Sequence, residues 1–219
     1  MTTASATVLI NWGWIGRNLG PIGDSVVEHL VLTAPPVAFG FVLSFGLALL
    51  ARRYRSLYQP LVRTTGVLFA VPSLAFVALL IPFLGLSRAN AYVALTIYTL
   101  VVLLPNIVEG LDGVPADVTE AADAMGYSPS KRLLKVELPL ATPVIIAGLR
   151  IATVTIIGLV TVTAFIGFGG LGDDILTGYN RAFPTQIVVG VTLTAALAIL
   201  ADVALLWLQR AVAPWRQGV

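Results

Sequence analysis

Long apolar stretches separated by short polar or basic segments dominate the chain. A helix needs about 20 mostly apolar residues to cross a hydrocarbon core about 30 Å thick. Five stretches reach that length: 29–51, 66–83, 89–108, 144–165 and 187–208. Pro35 and Pro36 stand near the start of the first, and Pro72 and Pro82 fall inside or at the end of the second. All five are expected to be helical, because a segment in lipid must satisfy its own backbone hydrogen bonds. The pattern predicts an all-α integral membrane protein with five transmembrane helices. Residues 1–28 form an external lead-in with Trp12 and Trp14 near the interface, 29–213 form the transmembrane domain, and 214–219 a tail.

Composition agrees. Of 219 residues, 58% are hydrophobic and only 11% charged, and the mean hydropathy is +0.93. A soluble domain of this size could not hide so much apolar surface. Cys is absent and His29 is the sole histidine, which excludes disulfides and thiolate metal sites. A net charge of +2 with no basic block gives no reason to expect nucleic acid as a partner. The first 30 residues lack the basic start of a cleavable signal peptide, and Asp24 and Glu28 interrupt their apolar runs.

The basic residues orient the spans. With the N-terminus outside and the C-terminus cytoplasmic, Arg52, Arg53, Arg55, Arg63, Lys131, Arg132, Lys135, Arg150, Arg210 and Arg216 fall inside. Arg17, Arg88 and Arg181 fall outside. Positive charge on the cytoplasmic side favours this arrangement, and an odd span count agrees with it. Residues 52–63 read as a short basic turn. The inner segment 109–142 is too long and too patterned for a simple connector.

Within that segment, Thr119 is a candidate N-cap for a short helix through Glu120, Ala121, Ala122 and Met125. Gly126 suits the left-handed turn that ends a helix. Tyr127 follows, and Ser128 with Pro129 then starts a second helix to about Val136. Pro139 and Pro143 punctuate the approach to the fourth span. Met125, Leu133 and Leu134 leave apolar knobs on this helix-turn-helix. By physics alone, either a docked partner or the lipid headgroups could cover them.

Glu120-Ala121-Ala122, three residues, Gly126, nine residues, then Val136-Glu137-Leu138-Pro139 resembles the EAA loop of ABC-importer permeases. The family pattern ends I-x-L-P, and here Val136 replaces the Ile. The resemblance implies a type I ABC importer transmembrane-domain fold, with 120–136 as coupling helices seated on a nucleotide-binding subunit. It implies ATPase-coupling roles for Glu120, Ala121, Ala122, Met125, Gly126, Tyr127, Ser128, Leu138 and Pro139. The expected partners are two ATPase subunits, a second permease subunit (identical or paralogous) and an extracytoplasmic substrate-binding protein. The chain has no Walker A string, so ATP and magnesium belong to the ATPase and this chain is expected to bind no cofactor.

Gly167-Phe168-Gly169-Gly170-Leu171-Gly172 satisfies a G-x-G-x-x-G string. It follows a membrane helix rather than a strand, so it is not read as a dinucleotide site. A re-entrant elbow and a plain Gly-rich loop both fit it. Residues 164–173, with Val71-Pro72-Ser73-Leu74 and Ile81-Pro82-Phe83-Leu84-Gly85, resemble the osmoprotectant permeases that import glycine betaine, carnitine and choline. Similar turns occur in permeases for methionine, so an amino-acid importer is the alternative within the class.

Arg150 and Asp202 sit at matched depth in the fourth and fifth spans, which suggests an intramembrane ion pair. Arg150 snorkelling to the interface while Asp202 faces water is the other reading. Pro72, Ser73, Tyr98, Phe165, Gly167, Gly169 and Gly170 are candidates for the translocation pathway or its gate. The hydroxyl-rich spans suit a small zwitterionic or cationic solute, although Ser and Thr also pack helices. An intramembrane enzyme lacks a reactive constellation here, with no Cys, no H-E-x-x-H and no G-x-S-x-G. An ion-coupled secondary transporter would need coupling carboxylates near the midplane, and Asp202 is the one candidate.

Overall fold

The structure is a computed structural model that describes residues 10–213. The expected tail 214–219, which holds Arg216, and residues 1–9 of the lead-in lie outside the described residues. Among the described residues every regular element is helical. In order these are α1 (Trp12–Arg17), α2 (Leu19–Arg53), α3 (Arg55–Ala70), α4 (Ser73–Leu84), α5 (Arg88–Asp112), α6 (Ala116–Ala124) and α7 (Pro129–Arg132). A π turn (Leu133–Glu137) leads into α8 (Leu138–Val160) and a 3-10 turn (Thr161–Ile166). Then come α9 (Leu171–Asn180) and α10 (Pro184–Val212).

Four helical runs are long and apolar enough to cross a membrane: Leu19–Arg53, Arg88–Asp112, Pro129–Ile166 and Pro184–Val212. The stretch read as the second span is two helices, α3 and α4, bent by 99°. The cause is Val71-Pro72. Proline removes an N–H, and the residue before it is driven to extended backbone, as the φ of −71° and ψ of 125° at Val71 show. Counting the bent pair as one crossing gives five.

Other boundaries also moved. The first long helix starts at Leu19, ten residues before the expected 29, because Pro21 falls in the first turn, where a missing N–H costs nothing. The basic segment 52–63 is helical from Arg55 rather than a turn. The third and fifth predicted spans are longer than expected, at Arg88–Asp112 and Pro184–Val212. Upstream, α1 is capped by the Asn11 side chain. It leans on the start of α10 through Asn11 N–H to Thr185 Oγ1 (2.9 Å) and an edge-to-face Trp14–Phe183 contact.

The bundle is organised around α2, α5 and α8. One core cluster joins Leu32, Leu95, Ile156 and Val160 to Phe76 and Val77 of α4, and a second joins Ala48, Leu104 and Ile107 to Ile145 and Ala152. Small residues allow the approach, since helices in lipid associate through close packing. A Cβ on Gly40 would sit 2.4 Å from Thr99 Cγ2, and one on Gly148 would sit 2.5 Å from Asn106 Cβ.

The bend between α3 and α4 is held from below. Tyr98 Oη donates to the Val71 carbonyl at 2.7 Å, and the buried Tyr98 ring packs edge-on against Phe69 and Phe76. Tyr98→Phe leaves that carbonyl short of its donor and should lower stability by about 1–3 kcal/mol, read as a fall in the thermal midpoint in detergent. Gly148→Val should cost about 1–3 kcal/mol by overpacking, whereas Gly46→Ala, which points its new methyl into open space inside α2, should not lower the same melt.

Candidate functional site

The segment between α5 and α8 forms a compact elbow. Its first helix starts at Ala116, with Pro115 as the cap residue, so Thr119 lies inside the helix rather than capping it. The fixed φ of Pro115 sets the entry four residues earlier, and Thr119 Oγ1 donates back to the Ala116 carbonyl at 2.8 Å. Gly126 ends α6 with φ +78°. Tyr127 N–H bonds Ala122 O and Gly126 N–H bonds Asp123 O, the paired closure of a left-handed helix stop. Ser128 then caps α7, its Oγ accepting from Lys131 N–H at 3.4 Å, with Pro129 in the first turn.

The second elbow helix does not stop near Val136. It runs through the π turn into α8, and the whole run Pro129–Ile166 is unbroken. Pro139 and Pro143 therefore lie inside helix instead of interrupting it. The wide turn, closed by Leu138 N–H to Leu133 O, spares the Pro139 ring the clash that a regular turn imposes.

Within the elbow, Ala122 is buried, whereas Glu120, Ala121, Met125, Gly126 and Ser128 are exposed. Met125 and Leu134 are 66% and 61% exposed. Leu133, expected as a third knob, packs instead into the core cluster of α2, α5 and α8. Lys131 Nζ sits 4.1 Å over the half-buried Tyr127 ring. Leu138 and Pro139 belong to the first turn of α8 and are half-buried.

Glu137 was not singled out as a functional residue. Its carboxylate is buried and accepts from Arg52 of α2 and Arg132 of α7. The available signal was an acid between Val136 and Leu138 close behind Lys131, Arg132 and Lys135.

At the other end of α8 the Gly-rich segment is an elbow rather than an open loop. Gly167 and Gly170 take positive φ (80° and 51°). A Cβ at Gly169 would meet Ala164 Cβ at 2.4 Å, and one at Gly170 would meet His29 N at 2.7 Å. Thr163 Oγ1 bonds the Phe168 carbonyl, Gly169 N–H donates to Asp173 Oδ2 (3.1 Å), and His29 Nε2 donates to Ile157 O (2.9 Å). Burial pushes the Asp173 carboxyl above its ordinary value, and the Gly169 N–H pulls the other way.

The pathway candidates divide accordingly. Gly169 and Gly170 are packed, and Tyr98 is buried at the bend. Pro72, Gly167 and Phe165 are exposed, and Ser73 is half-buried. Phe165 borders a groove shared with Leu176, Tyr179 and Ile187.

Arg150 and Asp202 meet in a two-pronged pair, Nε to Oδ1 and Nη2 to Oδ2, both 2.9 Å. Arg150 is therefore paired and does not snorkel alone. Gln209 extends the cluster, with Arg150 Nη1 at 3.4 Å from its Oε1 and its Nε2 donating to the Pro143 carbonyl at 2.8 Å. The pair is only partly covered, at 24% and 37% side-chain exposure, and lines a groove of about 560 Å³ between α8 and α10. Among the described residues no three acids or histidines converge as metal ligands.

Residues 40–218 match the family model described as binding-protein-dependent transport system inner membrane component. The choline transport system permease protein OpuBB of Bacillus subtilis is 34% identical over 201 residues, covering 92% of this chain and 93% of that protein. The glycine betaine/carnitine/choline transport system permease protein OpuCD of the same organism is 34% identical over 202 residues, covering 92% and 88%. The inward-facing MetNI methionine ABC transporter superposes with a TM-score of 0.75 at 22% identity, covering 93% of this chain and 99% of that one, which is a likeness of fold. With the family match running from the middle of α2 to past the end of α10, and both relatives aligned along nearly their whole length, the chain belongs to the family of binding-protein-dependent transport system inner membrane components.

Proposed function

We propose that this chain is the transmembrane permease subunit of an ABC importer for a small compatible solute, a quaternary ammonium such as glycine betaine, choline or carnitine. The observation that carries the substrate class is the 34% identity to two permeases for these solutes, over 92% of this chain. Transport proceeds by alternating access, driven by ATP hydrolysis in a partner. The assembly is two ATPase subunits, two permease chains and an extracytoplasmic binding protein, with ATP and magnesium held by the ATPases and no cofactor in this chain.

The bent pair α3 and α4 counts as one of five crossings, with the N-terminus outside. Arg52, Arg53, Arg55 and Arg63 then share the cytoplasmic side with the elbow's Lys131, Arg132 and Lys135, as positive-inside orientation favours. The elbow is the ATPase docking element. Its exposed Met125 and Leu134 supply apolar contact, and Glu120, Ala121, Gly126, Tyr127 and Ser128 shape the surface around them. A short helix pair fused to α8 passes displacement into the bundle better than a flexible loop would. On the outer side, Phe165 and the Gly167–Gly170 turn, together with Pro72 and Ser73, form the gate. An ion-coupled mechanism finds no free carboxylate in Asp202, which Arg150 engages on both oxygens.

Reconstituted with its ATPase and binding protein in liposomes, the chain should import radiolabelled glycine betaine, choline or carnitine only when ATP is present. Uptake of methionine or another amino acid in place of all three would refute the substrate class. At the elbow, Gly126→Leu should cut ATP-driven transport by tenfold or more without impairing membrane insertion, because a branched residue at φ +78° is strained by about 1–2 kcal/mol. Gly126→Asn, which tolerates that backbone, should keep most activity. Undiminished transport by the Leu variant would count against the elbow as the coupling element.

A further inference from the structure

Glu137 fills the variable position of the elbow's closing motif, yet only 3% of its side chain is exposed. Its Oε2 accepts from Arg52 Nη1 at 2.5 Å and its Oε1 from Arg132 Nε at 2.8 Å. Each arginine reaches a second acid. Arg132 Nη1 bonds Asp123 Oδ2 of α6 at 2.5 Å. Arg52 Nε lies 3.2 Å from Asp112 Oδ1 at the end of α5, and Asp112 Oδ2 accepts from Arg55 Nη1 of α3 at 2.6 Å. The result is one line of alternating charge with no net charge: Asp123, Arg132, Glu137, Arg52, Asp112, Arg55. Glu137, in the line's interior, is its most buried member, where water and salt screen the attraction least.

The order of this line matters. Without Glu137 it separates into an elbow piece, Asp123 with Arg132, and a bundle piece, Arg52 with Asp112 and Arg55. Among the described residues no other ion pair joins the two. The backbone already ties the elbow to α8 through the π turn, and to α5 through Gly113, Val114 and Pro115. The corner between α2 and α3 has no such short covalent route. Apolar contacts at Leu133 also touch the bundle, but burial is non-directional and permits sliding. A carboxylate gripped by two guanidiniums fixes direction as well as distance.

We propose that Glu137 is the positioning residue that ties the elbow to the α2–α3 corner, so that elbow displacement carries α2 and α3 along with α8. The role rests on the coupling reading above and adds to it how the stroke spreads through the bundle.

The chain has no native cysteine, so spin labels at Met125→Cys on the elbow and Leu50→Cys on α2 report without background; both positions are exposed. In lipid nanodiscs the unmodified junction should give one narrow distance. Glu137→Gln, which keeps the shape and loses the charge, should broaden it, and Glu137→Asp should stay narrow. In liposomes with ATPase and binding protein, solute imported per ATP hydrolysed should fall about tenfold in Glu137→Gln while the ATPase stays bound. The probe is whichever of glycine betaine, choline or carnitine the unmodified assembly imports, and Glu137→Asp should recover it.

If Glu137→Gln fails to fold, Arg52→Gln opens the same junction from the α2 side, with Glu137 still paired to Arg132, and should broaden the distance equally. An unchanged distance in the charge-removed variant, or unchanged transport per ATP, overturns the proposal. So does loss of ATPase binding in Glu137→Gln, since Glu137 would then shape the docking face instead. An unmodified chain that retains no ATPase would sink the coupling reading alone, because the nanodisc distance still decides whether Glu137 makes the tie.

Discussion

Everything in this bundle answers to one constraint: in hydrocarbon, a backbone N–H or C=O has no water to turn to. The chain nevertheless carries prolines in or beside most of its long helices, at 35, 36, 72, 82, 105, 139 and 143. Each removes a donor. Side chains take over part of the missing work. Tyr92 Oη reaches the Val31 carbonyl, which has lost the N–H that Pro35 cannot provide. Tyr98 Oη covers Val71 at the sharp bend. Asn90 Nδ2 donates to Gly85 O at the end of α4. All three donors come from α5, which makes that helix a polar support for its irregular neighbours as well as an apolar core element.

That division explains what could be read from the residues alone. Hydropathy measures how much apolar chain is available, so the third and fifth spans were legible to within a few residues at most ends. It carries no direction. A proline inside an apolar run can kink a helix slightly or turn it by 99°, and the outcome at Pro72 depends on whether a partner such as Tyr98 is waiting. The reverse held at Pro139, which reads as a helix boundary but sits in unbroken helix because the π turn absorbs it. Local chemistry was most legible where one residue type has few options. Gly126 takes its left-handed turn, and Ser128 with Pro129 starts a helix. Thr119 was misplaced because Pro115 offers an earlier and stiffer start. Glu137 was passed over because a buried carboxylate is recognisable only once Arg52, 85 residues away in sequence, is brought beside it.

The two ends of the molecule are held together by different physics. At the elbow end, directional charge pairs connect helix termini that small shifts would otherwise separate. At the opposite end, Gly169, Gly170 and Gly172 bring α9 against Ala164, His29 and Thr161 at distances no larger residue would allow. Midway, Arg150 and Asp202 bind α8 to α10, a helix with little burial of its own. A charged pair left partly open at that depth is costly against lipid tails, so this face of α8 and α10 suits water or a second subunit better than acyl chains.

These attachments limit how such a bundle can move. A gate made from a loose loop would open by local flexing, but the Gly-rich turn is packed on α2 and stapled by Thr163, Asp173 and the His29 contact to Ile157. Opening it locally would break several hydrogen bonds at once, all at least partly buried. Moving α8, the 3-10 turn and α9 as one body keeps the Thr163 and Asp173 bonds inside the unit and asks instead for sliding across α2, α4 and α5, at the His29–Ile157 contact, with α10 carried along by Arg150–Asp202. The elbow is continuous with that same body through the π turn. On the proposed reading, a push at one end of α8 and a gate at the other are then a single rigid displacement, and the remaining freedom lies in how α2 follows.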